Sequence, residues 1–502
     1  MVLSIYILIC GIISLVIIYI WFMYCYNYWN NRNFPYLKPS FPLGNNQTML
    51  CKFPGPHLES SDYYTKIKKK GYKFAGVFSI TRPILVVVDP DILKDILIKD
   101  FKYFSDRGFY KHPSDYLSMN LFGLDSEEWR INRTELTPTF TSGKIRMMIP
   151  KIISVSDSLI RNIEKYTDIK ADINIKQIAS EFTVNSIASC ILGIIPGTPE
   201  KLGNCFAEVT RKHFERERLS YLLRVSFLNR FPDLSCKLGL RYIKKEVAEF
   251  FLKLVEDCIS YRKENKFICS DFLQSLINLR NKKNAKVNIL TDEFLAAQVF
   301  SLFSASLETS STVITFTLYE LATNTHIQER LRKEINEVLE KHKGQLNDVA
   351  LNEMIYLRQV INESLRLYPP ITSLERRCMK NYKIDGTDLM IEKHISITIP
   401  IFGLHRDSRN YPNPEKFDPD RFSAENKHNI QPYTYLPFGM GPRSCIGQRI
   451  GFLLIQIALV EILKKFKLIV SASTRLPFEM DKVNLFLTIK NPVFLKAEKI
   501  QH

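Results

Sequence analysis

Phe438-Gly-Met-Gly-Pro-Arg-Ser-Cys-Ile-Gly447 sets a single cysteine in a glycine-rich turn that runs directly into an apolar, helical stretch. Glycines there let backbone amides come close to the sulfur. A helix beginning just after Cys445 lowers the thiol pKa, and Arg443, two residues upstream, offers a cation to an acidic group. Phe438 can shield the sulfur from water, and Gly447 closes the turn. A thiolate that ligates haem iron has to be ionised, hydrogen-bonded and dry, and this turn meets each condition. An incidental cysteine in a glycine-rich loop is the alternative. It does not account for a phenylalanine, two glycines, an arginine and a final glycine at these offsets.

Upstream of the turn, apolar residues recur at helical spacing over Ile145–Tyr166, Ile178–Leu192, Lys244–Lys263, Phe294–Thr323, Ile327–Lys341 and Leu351–Leu367. Strand-like runs are short: Phe74–Ile80, Ile84–Val88 and Ile395–Pro400. The expectation is a mainly α fold with a small β portion, folded as one large domain over residues 32–502. Phe294–Thr323 is long and apolar on all sides, so it should run buried through the middle of that domain. Thr291 is its cap, and Asp292 and Glu293 suit its positive end. Within it, Ala305 and Thr309 of Ala305-Ser-Leu-Glu-Thr-Ser310 share a face, and a small residue there leaves room over a flat cofactor. A buried Glu308 is costly without a partner or a purpose; beside a hydroxyl it suggests proton delivery. The plainer reading of Thr309 is a hydroxyl bonded back into its own helix.

Val2 to Tyr26 carries no charged residue, and the first charge in the chain is Arg32. The run exceeds the ~20 apolar residues a bilayer-spanning helix needs. It lacks the basic start and short core of a cleaved signal, and is not the amphipathic, Arg-rich segment of a mitochondrial presequence. It ends in interfacial aromatics from Trp21 to Trp29. Arg32, Lys38 and Lys52 follow with no acidic residue before Glu59, so the positive-inside rule places the domain in the cytosol. The reading is a single-pass endoplasmic-reticulum anchor over residues 1–31, joined by a proline-rich hinge over 32–45 in which Pro35, Pro39 and Pro42 give an extended arm.

Lysine and arginine outnumber aspartate and glutamate by 69 to 52, a net charge of +17. Such a balance favours acidic partners or anionic membrane. Without a helix-turn-helix, zinc-finger or aromatic RNA-binding signature, nucleic acid is not the expected partner. The ten cysteines are scattered singly, as in a reduced compartment. No GxGxxG opens a helix after a strand, so electrons from NADPH should reach this chain through another protein. Lys464, Lys465 and Lys467 are candidates for its docking surface, with a merely solvated face as the alternative. Tyr221–Tyr242, rich in Leu, Phe and basic residues, suggests a membrane-resting entry route for lipophiles or a plain amphipathic helix pair.

The cysteine turn resembles the signature Phe-x-x-Gly-x-Arg-x-Cys-x-Gly of the cytochrome P-450 superfamily at every specified position. The resemblance runs from about Phe34 to the C-terminus and is nearest to insect microsomal enzymes that metabolise xenobiotics. Phe104-Ser-Asp-Arg-Gly108, Leu136-Thr-Pro-Thr-Phe-Thr-Ser-Gly143 and Pro369-Pro370 carry it further. It implies the P-450 fold around haem b, with Cys445 as the axial iron ligand. It also implies insertion of one oxygen atom from O2 into lipophilic substrates such as plant toxins or insecticides. Electrons would come from NADPH–cytochrome P-450 reductase, with cytochrome b5 as a second donor.

The resemblance further implies that Trp129, Arg133, Arg376, Arg443 and Arg107 hold the haem propionates, and that Glu308 and Thr309 are the acid–alcohol pair of oxygen activation. Glu363 and Arg366, three apart on one helical face, look like the family's buried structural triad with Arg421. Phe303, Ala305, Leu307, Ile371 and Leu374 would line the substrate pocket. His405-Arg-Asp407 resembles a packing element. Ser306 departs from the family's usual glycine and puts rate and coupling in question. Two other functions stay open: a reductase-independent haem-thiolate isomerase or dehydratase, and a non-catalytic haem- or ligand-binding protein.

Overall fold

The computed structural model describes residues 2–45, 56–112, 114–193, 224, 227–228, 231–281, 291–481, 484 and 486–500. Helix α1, Val2–Tyr26, is the uncharged stretch. It is long and apolar enough to cross a membrane, and none of its most apolar window is buried against the protein. Its last turns behave differently: Phe22, Tyr26 and Trp29 are buried among the side chains of a small sheet. The segment 32–45 runs along that sheet, with Leu37 N donating to Gly76 O at 2.9 Å and Gly76 N to Pro35 O at 2.8 Å.

The sheet has the order β1-β2-β4-β3, built from β1 (Phe74–Ser79), β2 (Arg82–Val87), β3 (Leu374–Arg377) and β4 (Ser396–Ile399). β1 and β2 form an antiparallel hairpin, and β2 runs parallel to β4 with Ile84 opposite Ser396. β3 pairs antiparallel to β4 and sets Arg376 opposite Ile397. Leu374-Glu-Arg-Arg has no apolar alternation, which is why β3 is invisible to a periodicity reading. A second sheet of Ile173–Asn174, Phe466–Val470 and Phe494–Lys499 packs its apolar residues into the helical core.

The helices that frame the site are α2 (Ser126–Leu136), α3 (Ile149–Asp168), α4 (Ile175–Leu192), α5 (Lys245–Glu264), α6 (Asp292–Thr323), α7 (Ile355–Leu367) and α8 (Gln448–Leu463). The fold is mainly helical, as expected, and α6 crosses its centre with Thr291 Oγ1 accepting from Phe294 N at 3.3 Å. Two expected helices are each broken into two. Ile145–Tyr166 breaks at Met147 because Pro150 starts a new helix, for which its missing N–H is no loss. Leu351–Leu367 breaks at Met354, where Glu334 reaches across from a neighbouring helix and accepts from Tyr356 N at 2.7 Å and Leu357 N at 2.8 Å. Those bonds cap the orphan donors of α7. Most of residues 221–230, the first part of the expected membrane-resting segment, lies outside the described residues.

Two apolar clusters result, one around the helices and one around the sheet. Phe438 and Ile446 pack on the helical cluster, whereas Met440 and Leu374 pack on the sheet cluster. The cysteine turn therefore straddles the seam between them.

Candidate haem-binding site

Cys445 sits immediately before α8, and its N–H closes the turn by donating to Phe438 O at 2.9 Å. Gly439 and Gly441 both have left-handed φ, +69° and +74°, which a side chain adopts only with strain. A Cβ on Gly441 would also strike the carbonyl oxygen of Leu97. Phe438 packs at a tilt on Phe452 at 5.5 Å, covering one side of the turn. The backbone amides of Gly447 and Gln448 approach the sulfur and pull its pKa down, as Arg133 and Arg107 do. Burial outweighs them, so the thiol is pushed up overall. This corrects the expectation that the turn alone ionises the sulfur. A coordinating cation deprotonates a thiol outright, and the N–H groups are placed to stabilise the resulting charge.

Cys445 presents accessible surface although protein surrounds it closely enough to raise its pKa. Its sulfur therefore faces an enclosed space rather than bulk water. Arg107 has the same double character, half-exposed yet pushed well below its ordinary pKa by burial and by Arg376 and Arg443. Arg376 and Arg443 are buried and each lowered to about 10 by burial. The Arg443 guanidinium lies 4.4 Å over the Trp129 ring and donates to Leu124 O at 2.6 Å. Its Nε and Nη1, and Nε of Arg376, are buried without a hydrogen-bond partner among the described residues. Arg133, also lowered by burial, completes the group from α2. Buried like charges of this kind require an anion to compensate them. A carboxylate-bearing flat cofactor over a thiol supplies that anion, so the residues fit a haem.

Distant segments make this cluster. Arg377 N donates to Asp106 O at 2.7 Å, which ties the Arg107 loop to β3 and its Arg376. Asp106 Oδ1 accepts from Ser126 N at 2.6 Å and holds the start of α2, which carries Trp129 and Arg133. Arg107 is 4.0 Å over the Phe122 ring, and Phe122 stacks on Phe109 at 5.2 Å. Neither aromatic is part of the sequence expectation; nothing but their place in this loop marks them.

On α6, Ala305 is exposed in the middle of a helix otherwise buried, with Ser306 and Thr309 half-exposed beside it. That face is open. Thr309 Oγ1 donates to Ala305 O at 2.6 Å and Ser306 Oγ to Leu302 O at 2.7 Å, so both hydroxyls are bonded back into the helix. Glu308 points to another side: its Oε2 accepts from Lys176 Nζ of α4 at 3.0 Å, and Lys176 also donates to Ser311 and Thr312. The partner that a buried Glu308 demands is thus Lys176, more than a hundred residues away in sequence. Of the pocket candidates, Ala305, Ile371 and Leu374 present surface. Phe303 and Leu307 are buried, and Phe303 packs on Phe251 at 6.1 Å, so these two belong to the core.

Glu363, Arg366 and Arg421 come together. Arg366 forms two 2.8 Å bonds to Glu363, both residues fully buried, and Arg421 Nε reaches Glu363 Oε1 at 3.3 Å. Arg366 Nη1 also donates to His405 O at 3.0 Å. His405 is buried, held neutral with its pKa lowered to about 3 by burial, and its Nε2 accepts from Leu436 N at 2.9 Å. It thereby ties the triad to the strand of chain entering the cysteine turn. Two of the three docking lysines are paired within the chain, Lys464 with Glu461 at 2.6 Å and Lys465 with Glu164 at 3.5 Å. Their charge is largely neutralised there, which weakens that docking assignment.

The sequence model of the family described as "Cytochrome P450" matches residues 39–497. Curated relatives align over nearly the whole chain. Cytochrome P450 6a2 of Drosophila melanogaster is 38% identical over 488 residues, covering 95% of this chain and 96% of that protein. Cytochrome P450 6A1 of Musca domestica is 34% identical over 485 residues, with 95% and 94% covered. Cytochrome P450 6k1 of Blattella germanica is 35% identical over 481 residues, with 92% and 91% covered. With this likeness along its length and a cation-lined, thiol-floored site at its centre, the chain belongs to the cytochrome P450 family and is a haem monooxygenase.

Proposed function

We propose that this chain is an endoplasmic-reticulum monooxygenase, its catalytic domain facing the cytosol, that oxidises lipophilic foreign compounds with NADPH electrons delivered by a flavoprotein reductase. Cytochrome b5 is the second donor in this reading. The observation that carries the site assignment is the convergence of Arg107, Arg133, Arg376 and Arg443 on the space that the Cys445 sulfur faces. Cys445 would hold the iron of a haem b through its thiolate, without thioether links because the sequence has no CxxCH. Trp129 and the four arginines would hold its propionates. When bound, the haem supplies the one-electron and O2 chemistry, tuned by its thiolate ligand.

The chain's own residues then do three things. Phe438 and the glycine turn keep water from the sulfur. Ala305, Ile371 and Leu374 leave an apolar face for substrate. Thr309 Oγ1, its proton given to Ala305 O, keeps lone pairs free to accept from a water on the open face of α6. Glu308 is held at the end of a Lys176–Ser311–Thr312 network and brings protons to Thr309 by rotating away from Lys176. Exposed Phe231, Leu234 and Leu238 give lipophiles a membrane-side approach. The test is product formation from a panel of lipophiles in vesicles containing the reductase. Turnover that needs NADPH and reductase supports the reading; product formed without either would support an isomerase or dehydratase.

A further inference from the structure

The end of α1 is built into the catalytic domain. Trp29 is 1% exposed, and its indole lies so close over Gly76 that any Cβ there would strike the ring. A glycine inside a strand marks such a close approach. Trp29 Nε1 donates to Val77 O at 3.2 Å, and Tyr26 packs on Phe78 at 5.3 Å while its hydroxyl accepts from Gly44 N at 3.0 Å. On the other side, Glu392 accepts from Tyr28 Oη at 2.7 Å and from Arg32 Nε at 2.9 Å, and Arg32 lies 3.8 Å over the Tyr28 ring. The arm continues the contact, pairing with the outer edge of β1 as far as Asn45 N on Phe78 O at 2.8 Å. Phe41, 49% exposed, turns back and sets its ring against Tyr19 at 5.4 Å and Phe22 at 5.0 Å, level with the apolar part of α1.

We propose that α1 and the β1-β2-β4-β3 sheet form one rigid body, clamped by Trp29 over Gly76 and by Glu392 on Tyr28 and Arg32, with Phe41 entering the bilayer beside the helix. The inference rests on the reading of α1 as a membrane helix. Its consequence is that the domain has one height and tilt on the membrane, since the sheet gripping α1 also carries Leu374 and Arg376 at the site. A segment that pairs with a strand edge and buries an indole does not act as a swivel between two bodies.

The test uses the full chain in phosphatidylcholine vesicles, with a site-specific protease sequence inserted between residues 50 and 51. Cutting removes the covalent link but leaves the clamp. The domain is expected to stay in the membrane pellet after cutting. Trp29→Ala and Gly76→Ala should each raise the released fraction about tenfold, with the released domain still carrying haem. Glu392→Gln, at a half-exposed position where folding is not at stake, should raise it several-fold. Release of the otherwise wild-type domain as soon as the cut is made would overturn the proposal, because only the covalent link would then hold it. Retention equal to wild type in both Trp29→Ala and Glu392→Gln would overturn it as well, since another surface would be holding the membrane. Uncut protein in the supernatant would instead overturn the anchor reading itself.

Discussion

Lys176 Nζ lies 3.0 Å from Oε2 of Glu308 and joins α4 to α6 one residue from Thr309. The pair is mostly shielded, with side chains 29% and 20% exposed, so it is not one of the surface pairs that contribute little. Lys176→Met leaves a carboxylate on the central helix without its counter-charge. The expected outcome is several-fold less product per NADPH, with more peroxide and unchanged haem content, while Lys176→Arg restores most of the coupling. Equal coupling in Lys176→Met and wild type would remove Glu308 from the proton path.

Ser306 is the departure from the family pattern, and its hydroxyl is bonded to Leu302 O at 2.7 Å. That bond uses its proton, so crowding of the open face outweighs any gain of a donor. Ser306→Gly is expected to raise product per NADPH and lower peroxide, and Thr309→Ala to do the reverse. Ser306→Ala, which keeps the Cβ, should resemble wild type. Product, NADPH and peroxide measured in one reaction decide it; lower coupling in Ser306→Gly would make the serine part of the relay.

Much of this site is legible in the sequence because its parts are local. The Cys445 turn, the capped α6, and the Glu363–Arg366 pair each lie within one element, where spacing alone sets neighbours. What is not legible is made by long-range contact. Lys176 is an ordinary helical lysine until α4 packs on α6. β3 reads as a leucine followed by three charged residues until it pairs with β4. Trp29 reads as an interfacial aromatic, and only Gly76, bare of a side chain in a strand otherwise apolar, hints at where it goes. Burial also decided the Cys445 thiol against the local amides, a balance no motif carries.

Glu363 and Arg366 are fully buried and satisfied by each other, by Arg421 and by the backbone. Glu363→Ala leaves a buried guanidinium unpaired and should cost about 3–5 kcal/mol of stability. Arg421→Ala, at the more exposed corner, should cost less than half of that. Denaturant unfolding of the haem-loaded protein measures both; a loss in Glu363→Ala within error of zero would refute the buried-triad account.

Glu375, half-buried beside Arg376, accepts from Thr398 at 2.7 Å and has its pKa raised from 4.5 to about 7 by burial. A raised carboxyl pKa means the folded state disfavours the charge, so the destabilising effect is absent below pH 4.5 and full above about pH 7. Glu375→Gln should therefore raise the melting midpoint by a few degrees at pH 8 and hardly at all at pH 4.5. A gain of equal size at both values would mean that charge is not the cause.

Phe22, Tyr26 and Trp29 belong both to the anchor and to the sheet core. Deleting residues 2–18 should release the protein from membranes with little change in stability. Deleting 1–31 should also cost about 3–5 kcal/mol, the range for removing a buried aromatic. Equal stability of the two truncations would show that the indole over Gly76 is not structural.

A thiolate from Cys445 on the haem iron has a spectroscopic signature. The direct measurement is the absorption spectrum of the reduced, carbon-monoxide-treated protein, wild type against Cys445→Ser at matched haem content. The wild type is expected to show the long-wavelength band typical of thiolate ligation, and Cys445→Ser to lose it completely. Persistence of that band in the variant would place the ligand on another residue.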